Sequence, residues 1–329
     1  PGLPEIILPL EGVSNRLDLV RWLFDPDHPL TARVMVNRLW QMHFGRGLVA
    51  TAEDFGAQGA LPTHPDLLDW LSSTFKALDW DIKEMHRLMV TSAVYRQSSR
   101  PGDEHLEQDP ANRWLARAPR PRLPAEMMRD QALAVSGLLV PRIGGHSVYP
   151  YQPEGLWDEL SNKSWRYPYL QEPGEGLYRR SLYTIYKRTA PPPSMLIFDM
   201  PDRSVCTVRR VETSTPLQAL VLLNDEQYLE AARVLAQLVM QTHPEEPARW
   251  IAAAFERITC RLPAENELKR LLKYYEGERA RFSRDLQKVN TFLTVGDWLL
   301  PDNVPKSDLA ALTLTCSSIL NTTEAQHRM

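Results

Sequence analysis

Residues 29–56 read Pro-Leu-Thr-Ala-Arg-Val-Met-Val-Asn-Arg-Leu-Trp-Gln-Met-His-Phe-Gly-Arg-Gly-Leu-Val-Ala-Thr-Ala-Glu-Asp-Phe-Gly. The spacing predicts a helix opening near Pro29, whose fixed φ suits a first helical turn. Val36, Leu39 and Trp40 give that helix an apolar side, with Met35 and Met42 close by. Arg33 and Asn37 are four residues apart and share a face, and Trp40 follows on the same side one turn later. Gly45 and Gly47 stop the helix and open a loop. Arg33, Asn37 and Arg38 together would suit an anionic ligand. A plainer reading has Arg33 and Asn37 buried and bonded to carbonyls of the glycine loop, because buried polar groups need partners.

Helical patterns continue on both sides. Asn15 with Asp18 starts a short helix through Phe24, and Asp25-Pro-Asp-His-Pro makes a turn. His64-Pro65-Asp66 opens a helix to about Ala77, with Leu67, Leu68, Leu71 and Phe75 inward. Asp81-Ile-Lys-Glu84 is a capping box for a helix to about Tyr95. Residues 97–112 are polar and turn-rich, and Pro124 begins a helix to about Leu139. Thr215-Pro-Leu-Gln218 is a second capping box, and its strongly apolar helix, Leu217 to Leu223, is expected to be buried. Asn224 is expected to cap the next helix, to about Gln241. Helices near 245–259, 264–283 and 307–320 follow, with 284–306 open between helix and loop.

Prolines recur at 141, 150, 153, 168, 173, 191, 192, 193, 201 and 216, and the character of the chain changes there. Only Tyr178–Lys187 reads as a strand. A stretch this long without regular structure is usually functional or disordered, and its tryptophans and tyrosines argue for order. The expected fold is therefore mainly α: a multi-helix globular domain with a long Pro-rich irregular segment containing a minor β element. Residues 1–14 are an extended lead-in from an upstream domain. Residues 15–329 form a single helical domain, with N-terminal helices in 15–140, the irregular wrap in 141–216 and C-terminal helices in 217–329.

Composition narrows the function classes. The chain has 329 residues, 43% hydrophobic and 24% charged, with net charge −3. That balance gives no electrostatic case for nucleic acid or an anionic membrane. No apolar run approaches the roughly 20 residues a membrane span needs. Proline is abundant, 27 of 329 residues, above the usual ~5%. Three scattered cysteines, Cys206, Cys260 and Cys316, form neither Cys-x-x-Cys nor Cys-x-x-Cys-His, so no zinc or covalent haem motif is present. A single bridge of the Cys206–Cys260 type stays open. Opening on Pro1, the sequence reads as a fragment or processed product, so a missing leader says nothing about compartment.

Several side chains are candidates for chemistry. His43 and His64 with Asp54 would be a metal set, but their spacing fits no metal motif, and no metal is expected. Asp199 and Asp202, with Asp54, are the candidate catalytic carboxylates, since glycoside hydrolysis uses two. Solvated turns contain such pairs as well. Arg203 and Arg209, with Arg210, would bind sulfate or carboxylate through bidentate donors, or pair with Glu212, Asp199 and Asp202. Trp157, Trp165, Tyr167 and Tyr169 would make a platform for sugar rings, or the packing that holds the segment down. No nucleophile elbow, P-loop or dinucleotide fingerprint occurs.

Four blocks carry a family resemblance. They are Thr31-Ala-Arg-Val-Met-Val-Asn-Arg-Leu-Trp with His43-Phe-Gly-Arg-Gly-Leu-Val; Asp54-Phe-Gly with His64-Pro-Asp-Leu-Leu-Asp-Trp-Leu; Tyr95-Arg-Gln-Ser; and Thr213-Ser-Thr-Pro-Leu-Gln-Ala-Leu-Val-Leu-Leu-Asn. Met128-Arg-Asp, Gly144-Gly-His-Ser-Val-Tyr-Pro-Tyr-Gln-Pro and Pro191-Pro-Pro-Ser-Met-Leu-Ile-Phe-Asp link them. The chain resembles PSD1, a planctomycete-specific domain of unknown function, from about Arg16 to near Thr259. It departs from the usual pattern at Ser214 and His146. The resemblance implies the C-terminal module of a large exported, extracytoplasmic polypeptide, often with a cytochrome c-like domain upstream. Any covalent haem would then sit on that upstream domain, with no cofactor in this chain. The expected role is a scaffold or interaction domain whose partners are the upstream domains. The alternative is an enzyme or binding module for sulfated polysaccharides. The family supplies no catalytic residues to carry over.

Overall fold

Thr31–Phe44 forms a helix because its apolar side chains recur on one face and Gly45, at φ 75°, ends it in a left-handed cap. Its start is two residues later than the sequence suggested. Pro29 lies before the helix, and the ring of His28 supplies the cap: Nδ1 accepts from the N–H of Leu30 at 3.3 Å and of Thr31 at 3.2 Å. Burial, with Lys76 nearby, holds the His28 imidazole below its usual pKa. An unprotonated Nδ1 is what the cap requires.

The computed structural model describes residues 15–100, 102–159, 168–243 and 246–327. The chain divides into two compact units, residues 1–121 and 122–328. The first contains α1 (Arg16–Leu23), α2 (Thr31–Phe44), α3 (Pro65–Ala77), α4 (Ile82–Thr91), α5 (Ala93–Arg96) and α6 (Asp103–Gln108). Asn15 caps α1 and Asp81 caps α4 through their side-chain oxygens. The helix expected to run to Tyr95 breaks at Ser92, which bonds back to Met89 and caps α5. The turn-rich stretch 97–112 contains α6. α2 packs on α3 and α4. Val36, Leu39, Trp40, Leu68, Leu71, Phe75, Met85 and Met89 fill the core between them.

The second unit contains α7 (Ala125–Ser136), α8 (Leu156–Glu159), α9 (Pro193–Ile197), α10 (Pro216–Asn224), α11 (Glu226–Thr242) and α12 (Pro247–Thr259). It continues with α13 (Glu265–Phe282), α14 (Leu286–Leu293), α15 (Lys306–Leu320) and α16 (Thr323–Gln326). At its centre α11 lies on α15. Ala232, Ala236, Ala310 and Ala311 are buried in that core and keep it tightly filled. α12, α13 and α14 pack around α15, and α7 covers α11. Parts of the proline-rich segment pack on α7, α10 and α11. Leu177, Tyr178, Met195, Phe198 and Met200 bury themselves with Met128, Leu133, Leu222 and Tyr228.

Three expectations are corrected here. Among the described residues no strand forms; Tyr178–Lys187 is short 3-10 turns and isolated bridges, including Val140 with Arg179 and Val148 with Thr184. The local alternation is strand-like, but hydrogen bonds from neighbouring side chains hold this backbone instead of a ladder. The apolar α10 buries only Gln218 and Leu222, leaving Leu217, Leu220 and Leu223 58%, 53% and 38% exposed. The cap of α11 is Asp225, accepting from Gln227 N–H at 3.1 Å, while Asn224 ends α10. All three cysteines are free thiols, so no Cys206–Cys260 bridge forms. Among the described residues no helix is long and apolar enough to cross a membrane.

Candidate functional site

In the first unit the amide of Asn37 is fully buried and bonds Val49 twice. Its Oδ1 accepts from the Val49 N–H at 2.9 Å and its Nδ2 donates to the Val49 carbonyl at 3.0 Å. Gly47 passes so close that a Cβ there would sit 2.6 Å from Nδ2. Asn37 and Gly47 are thus one device: the amide stands in for a strand neighbour and the glycine leaves room for it. Arg33 donates to Asp69 at 2.7 Å and to the Pro29 carbonyl, and Arg38 is exposed on the opposite side. Arg33 and Asn37 therefore serve different partners.

Asp54 closes the glycine loop on itself. Its Oδ1 accepts from Gly56 N–H at 2.7 Å and its carbonyl accepts from the Thr51 hydroxyl at 2.7 Å. His64 begins α3 beside the Thr63 hydroxyl, 3.0 Å away. His43 pairs instead with His86, a residue the sequence reading passed over, with Nε2 and Nδ1 2.7 Å apart. Tyr95 packs edge-on against the His43 ring. Among the described residues no three His, Cys, Asp or Glu side chains gather as metal ligands.

The candidate residues of the second unit are dispersed. Asp199 accepts from the guanidinium of Arg122, from the Thr213 N–H at 2.9 Å and from the Thr213 hydroxyl at 2.8 Å. Burial pushes its pKa up, but Arg122 and Thr213 outweigh that and hold the carboxyl below the usual carboxylate value. Asp202 is exposed and accepts from Ser204. Arg203 lies over the Tyr186 ring, 4.4 Å from its centroid, and Arg209 is exposed. Arg210 forms a fork with Glu126 at 2.6 and 2.9 Å. Trp157 is buried against Tyr149 and Tyr169, with Lys187 over its ring. Trp165 and Tyr167 lie outside the described residues.

Sequence reasoning missed the polar groups that matter most to this unit. Arg129, on α7, donates to Gln227 on α11 and to the carbonyls of Arg179 and Leu177 at 2.7 and 2.6 Å. Asp130 accepts from Ser181 N–H at 2.7 Å. The Met128-Arg-Asp block thus clamps the wrap onto the helices. Arg179 repeats the device one layer out. Its guanidinium reaches the carbonyls of Arg142 and Gly144 at 2.8 and 2.6 Å and stacks on Tyr183. At φ 92° Gly145 leaves space that a Cβ would take 3.2 Å from that guanidinium. Long spacing between donor and acceptor hid both clamps.

A third buried group is Glu230, which accepts from Tyr178 O–H at 3.0 Å and Trp298 N–H at 2.7 Å, with Arg233 bonded to the Trp298 carbonyl. Burial raises the Glu230 pKa and lowers that of Arg233. Glu230 is wholly sealed from solvent, and its Oε1 ties Tyr178 to the backbone of Trp298. Gly296 is required there, because a Cβ would fall 2.2 Å from the Glu230 carboxyl carbon.

What these parts define is a helical protein whose longest irregular segment is clamped by buried arginines. The chain belongs to the PSD1 family, described as a protein of unknown function (DUF1553), whose model matches residues 15–275. No curated protein and no solved structure matches it.

Proposed function

We infer that this chain is an interaction module that docks another domain of its own polypeptide. The carrying observation is the exposed leucine face of α10. Its inner side is fixed by Gln218, whose Nε2 donates to the carbonyls of Ile197 and Thr213 at 2.9 and 3.1 Å. Arg122 and Asp199 hold Thr213 in turn. Leu217, Leu220 and Leu223 then stand on the outer side, one turn apart, on a helix that has no freedom to roll them inward. Contiguous exposed apolar groups on a rigid support mark interaction surfaces. What supports that kind of partner is the family resemblance, which implies an upstream domain of the cytochrome c type in an extracytoplasmic setting.

Hydrogen–deuterium exchange on the complete polypeptide and on this chain alone tests the reading. Added protection across 216–224 in the complete polypeptide, lost in Leu220→Lys, is expected. Equal exchange in both would reject it.

A further inference from the structure

The first unit holds a cavity of about 390 Å3 at the C-terminal end of α2, within the size range of small-ligand pockets. Its apolar side is Trp40 and Phe44, stacked in parallel with ring centroids 3.9 Å apart. Leu48, Leu106 and Leu115 add to that side, and four arginines are among the other lining residues: Arg46, Arg113, Arg117 and Arg120. No Asp or Glu side chain is among the lining residues.

The four are not equally occupied. Arg117 donates to the carbonyls of Asp109 and Pro110 at 3.1 and 2.8 Å. Arg120 uses Nε on the Ser99 hydroxyl at 3.2 Å. Arg46 and Arg113 are exposed, and their guanidinium groups form no hydrogen bond or ion pair among the described residues. Asp109, next to the lining residue Pro110, is buried and accepts from the backbone N–H groups of Arg113 and Trp114 at 2.9 and 2.8 Å. The C-terminal end of α2 adds roughly half a negative charge. Among the residues that line the cavity itself, four guanidinium groups face no carboxylate. A solvated arginine cluster on a convex surface would need no further account; here the cluster surrounds a concavity with an aromatic side. Guanidinium forks match oxyanions in geometry as well as charge.

We propose that this cavity binds a small organic polyanion, carrying at least two carboxylate, sulfate or phosphate groups on a compact body, with Arg46 and Arg113 as the ion-pairing residues. Arg117 and Arg120 set the shape of the rim, and the Trp40–Phe44 side takes the body of the ligand. The cavity and α10 lie in different units, so this proposal and the docking reading stand or fall separately.

Isothermal titration of the whole chain with citrate, glucose 6-phosphate, galactose 6-sulfate, inorganic sulfate and neutral galactose tests it. Citrate, the one probe with several charged groups on its body, is expected to bind most tightly. Arg46→Gln and Arg113→Gln are each expected to weaken it about tenfold, and rising salt to weaken it further. The melting temperature without ligand is expected to stay unchanged in both variants. Citrate binding no tighter than inorganic sulfate, binding unaffected by both substitutions, or no binding below about 1 mM would overturn the proposal.

Discussion

Asn37 spends both halves of its amide on one residue, Val49, and the cost of losing it follows directly. Asn37→Ala strands the buried N–H and carbonyl of Val49 and is expected to cost about 3 kcal/mol, read by urea denaturation. Gly47→Ala drives a Cβ into the same amide and is expected to cost about 2 kcal/mol by overpacking. The double variant is expected to cost less than the sum, because the second change attacks a contact the first has removed. Asp199 gives a pH-dependent counterpart. Its carboxyl is held below the usual value in the folded chain. Its contribution is therefore fully present above the unfolded value, about 3.9, and is lost as pH falls through the lower folded value. Denaturation across pH 7 to 3 is expected to show Asp199→Asn less stable than the parent at pH 7, with the gap closing in the acid range.

At the scale of elements, start and stop signals were legible wherever they are local. Asn15, Pro65, Asp81 and Gly45 mark helix ends in sequence and in structure, whereas the helix expected to reach Leu139 stops at Gly137. The glycine loop anchored by Asn37 was legible too, since a buried amide needs backbone partners nearby. Non-local partners were not. Arg129 meets acceptors about fifty residues on, and Glu230 a backbone N–H 68 residues on; no periodicity carries that information. The same limit explains the expected strand that does not form and the exposed α10, because an apolar run does not reveal whether another element pairs with it or covers it. Arg129→Lys keeps the charge and loses the fork. It is expected to raise amide exchange at 177–181 and to cost about 2–3 kcal/mol, while α12 and α13 keep their protection.

For the whole molecule, the thiols offer a readout of opening. Cys206 and Cys260 are exposed, whereas Cys316 is sealed in α15, where burial pushes its pKa up to about 12. A thiol reagent is expected to label two cysteines quickly under native conditions and the third only at the rate at which the second unit opens. Fast labelling of all three would show that α15 is not the closed centre that its packing describes.

The central place of α15 also dictates an order of assembly on the ribosome. Residues 1–121 contain every helix of their own core and can collapse as soon as they emerge, since domains fold as units with the N-terminal one first. The second unit cannot, because the helix its core is built around, Lys306–Leu320, is made after every other helix of that unit except α16. α7 and α11 must wait, with apolar faces uncovered, until that helix has emerged. Stalled chains ending at residue 300 are expected to protect the first unit from protease while the second is digested, and release of the full chain to protect both. Equal resistance of the two in the stalled chain would contradict that order.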